Sequence, residues 1–181
     1  MASKVESLLL AFQSVLREPW ANTLSGHERV WFLVYDPAEQ RKIDLHFGDF
    51  EVSAKQAGKR WLVVSLKPCF PQWMAAHKYR ESYFAKPNAL MTQLEVGFRQ
   101  YAIDYLRDAV EAGQPDEQTL VVVRDTSALF SFVRLADVLE AVASTCKGRL
   151  LVFFPGEYTQ NQYRLLDARD GWNYLARPIL G

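Results

Sequence analysis

The residues able to do chemistry in this chain are few. Val121-Val122-Val123-Arg124-Asp125 is an apolar run ending in an acid, the outline of a Walker B strand whose carboxylate would hold Mg²⁺ beside a nucleotide. That outline is weak alone, because buried strands often end in Asp. Its required companion, GxxxxGK[ST], is absent, and Gly58-Lys59-Arg60 closes a helical pattern instead of opening one, so it cannot cradle phosphates. No GxGxxG follows a strand either. Asp36, Asp125 and Glu157 all fall near the carboxyl ends of strand-like runs, where converging carboxylates would serve a two-metal nuclease. Asp36 already has a full structural explanation as a helix cap. Ser127, Asp125 and a distant His supply the types of a hydrolytic triad, but no GxSxG elbow exposes a nucleophile. His27, His46 and His77 stand at no ligand spacing from one another or from Cys, and His46 beside Asp44 reads as a surface residue. Cys69 and Cys146 lie in no CxxC or Cys/His array, which argues against structural zinc and for two buried free thiols of a cytosolic protein.

The elements that must position these residues are organised around Gly148 to Tyr158. Leu150 to Phe154 is an uninterrupted apolar run, bounded by Gly148 and by Pro155-Gly156. It reads as a short strand covered on both faces, in the middle of a parallel sheet. Pro155-Gly156 fits the centre of a type II turn, with Gly supplying positive φ. The polar stretch from Glu157 to Gln162 then falls beyond a strand carboxyl end, where open α/β sheets place their ligands and partners. A plain solvated loop is the other reading.

Ahead of it, Ser3 to Arg17 is an amphipathic helix with a Ser3/Glu6 capping box, expected to pack on its own domain. Val30 to Tyr35 is a strand. Asp36-Pro37-Ala38-Glu39 starts a helix, with Asp36 capping, Pro37 in the first turn and Glu39 closing the box. Ile43, Phe47, Phe50, Ala54 and Ala57 form its buried stripe and Gly58 its stop. Trp61 to Leu66 completes a strand–helix–strand unit. Cys69 to Phe84, where Pro68 and Pro71 suggest a loop and then a helix, carries Trp73, Met74, His77, Tyr79 and Tyr83 and either covers the sheet or faces a partner. Pro87 to about Ala112 is a helix, Leu120 to Val123 a third buried strand, and Leu135 to Val142 a further helix. The tail, about residues 163–176, is expected to be a β-hairpin turning at Asp170-Gly171. The fold expected is a single α/β domain over residues 1–181: a mostly parallel sheet with helices on both faces, Rossmann-like and lacking a P-loop, ending in that hairpin.

Twenty-one basic residues balance twenty-one acidic ones, so the chain lacks the positive field that tight nonspecific DNA binding needs. The composition, 49% hydrophobic, supplies a real core. No run approaches a membrane span and no signal peptide is visible, so the expected location is the cytoplasm.

Several blocks together resemble a known family: Lys4 to Leu9, Glu28 to Pro37, Arg149 to Tyr158, Asn161, Tyr163 to Leu166, and Asp170-Gly171-Trp172-Asn173-Tyr174-Leu175. They are similar to the BrxB family, the small accessory component of bacteriophage exclusion (BREX) systems. The resemblance implies antiviral defence in company with a DNA methyltransferase, a large ATPase and the alkaline-phosphatase-like PglZ protein, with PglZ the direct partner. It implies a P-loop-like α/β architecture without a working P-loop, and supplies no catalytic residues, cofactor or metal. The expectation is therefore a non-enzymatic interaction subunit that meets DNA only through its complex, with Glu157, Tyr158, Asn161, Tyr163, Arg164 and Trp172 at the partner interface, or else the Trp73–Phe84 segment. A nucleotide or phosphate sensor at the strand carboxyl edge and a metal-dependent nuclease are the competing readings.

Overall fold

The computed structural model describes residues 1–165 and 175–181. Its sheet has five parallel strands: β1 (Val30–Tyr35), β2 (Arg60–Ser65), β3 (Thr119–Arg124), β4 (Arg149–Pro155) and, past a short hairpin of β5 (Glu157–Thr159) and β6 (Gln162–Arg164), β7 (Arg177–Ile179). The order is β2-β3-β4-β1-β7. The run around Leu150 to Phe154 is thus the central strand, and every one of its residues is buried. It pairs with β1 from Val30↔Leu150 to Tyr35↔Pro155 and with β3 from Leu120↔Arg149. β1 and β2 are not neighbours: their crossover spans β4 and β3, unlike the 3-2-1-4-5-6 order of dinucleotide-binding folds.

Alternation along the strands feeds two cores. Phe32, Val121, Val123, Leu150, Val152 and Phe154 pack with α4 (Cys69–Ala76), α7 (Arg99–Ala112) and α8 (Leu135–Ala143). Trp31, Leu33, Leu120, Val122, Leu151 and Phe153 pack with α1 (Lys4–Leu16) and α3 (Phe47–Gln56). The chain steps from β1 to β2 over the α3 face and returns from β2 to β3 and β4 over the α7–α8 face. Direction and face reverse together, as crossovers of one hand require.

The capping box on α1 is present: the Glu6 N–H donates to Ser3 Oγ at 3.2 Å and the Ser3 N–H to Glu6 Oε2 at 2.6 Å. The helix expected after β1 is instead a 3₁₀ turn (Pro37–Glu39), α2 (Gln40–Leu45) and α3, broken at His46. The break lets Phe47 and Phe50 both reach Phe153, at 5.1 and 5.4 Å between ring centroids. Asp36 caps as expected, accepting from the Ala38 N–H at 2.9 Å. The box does not close, because Glu39 turns to Lys42 at 2.9 Å. The aromatic segment after β2 is two helices, α4 and α5 (Arg80–Ala85). The long helix expected from Pro87 begins as a 3₁₀ turn, continues through α6 (Met91–Gln93) and a π turn over Leu94–Phe98, and becomes regular in α7. The wider turn keeps Leu94 and Phe98 in the core alongside Ala102 and Leu106.

Two arginines close the amino edge of the sheet. Arg29 donates to the carbonyls of Leu24, Asn22, Cys146 and Lys147. Arg149, 3% exposed, donates to Gly148 and Ala21 and lies 5.0 Å from the Trp20 ring. Desolvation, and then Arg29 nearby, lower its pKa from the usual guanidinium range.

Both cysteines are buried free thiols, and burial pushes each pKa up to about 11. The folded chain is expected to react with no equivalent of a thiol-specific disulfide reagent at mildly alkaline pH, and the unfolded chain with two. A rapid native reaction at either site overturns this. No helix among the described residues is long and apolar enough to cross a membrane.

Candidate functional site

The neighbouring strands β1 and β4 send the chain to opposite faces of the sheet. The connection from β1 runs over one face, and β4 is followed by a hairpin packed on the other, so the crevice between their carboxyl ends is a topological switch point. A cleft of about 410 Å³ opens beside the carboxyl end of β1, between α1, the start of the hairpin and the segment after β7. Its apolar floor comes from Val5 and Leu8 of α1, Val34 of β1, Ile43 of α2 and Leu180 after β7. Its rim carries Lys4, Asp36, Glu39, Glu157 and Tyr158. Tyr35 also lines it, and its hydroxyl donates to Gln40 Oε1 at 2.6 Å. Burial is the main force raising the Tyr35 pKa above the ordinary phenol range, so this donor keeps its proton.

The polar stretch past β4 is neither a type II turn nor an irregular loop. Pro155 is the last residue of β4, and Gly58 is the glycine with positive φ among the described residues. Gly156 is required for space: a Cβ there would lie 2.1 Å from the Arg164 carbonyl oxygen. The Gly156 N–H donates to the Tyr35 carbonyl at 2.8 Å, carrying the β1–β4 pairing one residue further. The chain then folds back through Gln160 and Asn161, both at positive φ, a two-residue turn whose twist suits an antiparallel pair. Glu157 faces Arg164, Tyr158 faces Tyr163, and Thr159 faces Gln162. Asn161, a residue that tolerates left-handed backbone, was the signal for this turn.

Of the expected interface residues, Glu157 and Asn161 are exposed and Tyr158 and Arg164 half-buried. The Tyr158 hydroxyl donates to Asn161 Oδ1 at 3.2 Å. Tyr163 corrects the expectation. It is fully buried, 4.4 Å from Phe32 and 4.7 Å from Tyr158 between centroids, with its hydroxyl donating to the Ala176 carbonyl at 2.5 Å. It anchors the hairpin from beneath and presents nothing to a partner. Trp172 and the turn at Asp170-Gly171 lie outside the described residues, as does most of the hairpin expected over about 163–176. Reasoning from sequence missed β7, whose Pro178 disguises it. A strand at the sheet edge tolerates that missing N–H.

The other chemical candidates resolve into structure. Asp125, at φ 59°, accepts from Ser65 Oγ at 2.5 Å and lies 3.4 Å from Arg124 Nε. Arg124 also pairs with Asp44 at 2.8 Å and covers the Phe47 ring at 4.3 Å. This network ties β2, β3 and α2 together. Asp36 and Glu157 line the cleft and Asp125 does not. Among the described residues, no three His, Cys, Asp or Glu side chains gather as a metal would need. His46 pairs with Asp49 on the surface, and His77 packs against Trp73 and Tyr83.

A second exposed surface lies between α4 and α7. Between Ala75 and Val96 the chain buries only Leu94, and Tyr79, Phe84, Met91 and Val96 are exposed. Lys78, Arg80 and Lys86 are interleaved with them.

Compared with known proteins, residues 74–178 match the family described as BREX protein BrxB. That span is more than half of the chain and includes β3, β4, the hairpin and the exposed segment. No curated protein and no solved structure matches.

Proposed function

Because the chain belongs to the BrxB family of BREX proteins, we propose that it works as a cytoplasmic, non-catalytic, single-domain subunit of a BREX antiphage complex and binds the PglZ-like component directly. Family membership carries the coarse part of this reading: a component of phage defence whose partners are other BREX proteins. The finer part rests on the hairpin at the sheet's carboxyl edge. It is clamped from below by Tyr163 and from behind by Gly156, and it displays Glu157, Tyr158, Asn161 and Arg164. A surface held this rigidly loses little conformational entropy when a partner docks. DNA is met through the complex, and no cofactor is required.

The test is co-purification with the PglZ-like component of the same system. A Tyr158→Ala, Asn161→Ala double variant that stays folded is expected to bind about tenfold or more weakly, because a half-buried aromatic is a typical interface anchor. Unchanged affinity moves the interface to the Tyr79–Val96 surface, the second reading. That reading is favoured by four large apolar side chains left exposed along one short stretch. No co-purification at low salt ends the PglZ assignment.

A further inference from the structure

Charge on the cleft rim is unevenly answered. Asp36 has Lys4 at 3.8 Å and Glu39 has Lys42 at 2.9 Å. Glu157 forms no ion pair among the described residues, although Arg164 stands directly opposite it in the hairpin register. The Arg164 Nε is buried without a hydrogen-bond partner instead of reaching across. The cleft that this open carboxylate lines is apolar at the buried Val5, Leu8 and Ile43 and at the exposed Leu180.

We propose that the cleft is a receptor for a lysine or arginine side chain projected by a protein partner. The alkyl stem lies along the floor and the cationic head reaches Glu157. This rests on the reading of the hairpin as a docking surface and adds the chemistry of what docks. An apolar floor beneath a single unanswered carboxylate is complementary to a side chain with a hydrocarbon stem and a charged tip. The volume, about 410 Å³, is ample for one such residue and its neighbours. The same features reject a phosphate. Asp36, Glu39 and Glu157 line the cleft against one cationic side chain, Lys4. The loop after β1 is Asp36-Pro37 with no glycine to bring backbone N–H groups close. At the start of α1, the Ser3 and Glu6 N–H groups are already taken by the capping box. The nucleotide-sensor reading therefore has the wrong sign of charge at the place it needs.

The experiment measures affinity for the purified PglZ-like component at low and high salt, for wild type, Glu157→Gln, Glu157→Lys and Ser7→Phe. Ser7 lines the cleft, and the larger side chain blocks it without touching charge. Thermal denaturation confirms that each variant is folded. Expected are weaker binding of wild type at high salt and a loss of about thirtyfold or more for Glu157→Lys. A smaller loss is expected for Glu157→Gln, and a loss independent of salt for Ser7→Phe. Wild-type binding that all three folded variants retain overturns this proposal and leaves the PglZ assignment standing. If PglZ does not bind but another BREX component does, with the same dependence on Glu157, the cleft proposal stands and the PglZ assignment falls. Binding to no component overturns both. Self-association abolished by Glu157→Lys makes the occupant a second copy and overturns the partner. Nuclear magnetic resonance shifts at cleft residues on adding ATP, strengthened by Glu157→Lys, also overturn it.

Discussion

Replacing Tyr163 with Ala is expected to lower the unfolding free energy by about 3–5 kcal/mol, the cost of emptying a fully buried aromatic site. The ring fills the space among Phe32, Phe154 and Tyr158, and the sheet beneath cannot collapse into the hole without disturbing the central pair of strands. Tyr163→Phe separates the two contributions. It keeps the ring and leaves the buried Ala176 carbonyl without its donor, for an expected loss of about 1–3 kcal/mol. Burial, and secondarily Tyr158, raise the Tyr163 pKa above the ordinary phenol range. The sign follows: its contribution is whole below the pKa of an unfolded tyrosine, about 10, and is lost as pH rises beyond that value. Urea titrations of both variants, with the wild type repeated at alkaline pH, check all three statements. A Tyr163→Ala loss below about 1 kcal/mol would show that the hairpin is not anchored through this ring.

Gly156→Ala is the second large effect. The added methyl would stand 2.1 Å from the Arg164 carbonyl oxygen and 2.7 Å from Phe154 Cε1. The nearest atom is backbone, so no rotamer change relieves the clash and β6 itself must move. The expected cost is about 1–3 kcal/mol or more, concentrated in the hairpin. Hydrogen exchange should quicken over residues 157–164 while β1 and β3 stay protected, because lifting the hairpin leaves the five-stranded ladder intact. Partner binding should fall with it. Wild-type exchange rates in the hairpin of Gly156→Ala would mean that the close approach at this glycine is dispensable.

These two residues mark the boundary between local and long-range information. Helix α1 was legible because its stripe and its Ser3/Glu6 box are complete within one stretch of chain. The first four strands of the sheet were legible because each is an apolar run with turn residues at its ends. The central place of β4 followed from burial alone, since a run with no polar alternation must be covered on both faces. The family blocks were legible for the same reason: they are contiguous. Tyr163 read as surface because its neighbours are polar, and only the approach of Phe32, distant in sequence, makes it core. Gly156 read as a positive-φ turn because Pro-Gly usually is one, whereas here the missing Cβ makes room for another segment's carbonyl.

Composition and periodicity thus determined the class of fold, its principal elements and the want of recognised catalytic motifs. The tertiary structure decided the strand order, the edge strand through Pro178, the engagement of Asp125 by Ser65 and Arg124, and the cleft that brings α1, β1 and the hairpin together. Local patterns record which side of an element is buried. What it is buried against depends on pairings between distant segments, which arise only when the whole chain packs.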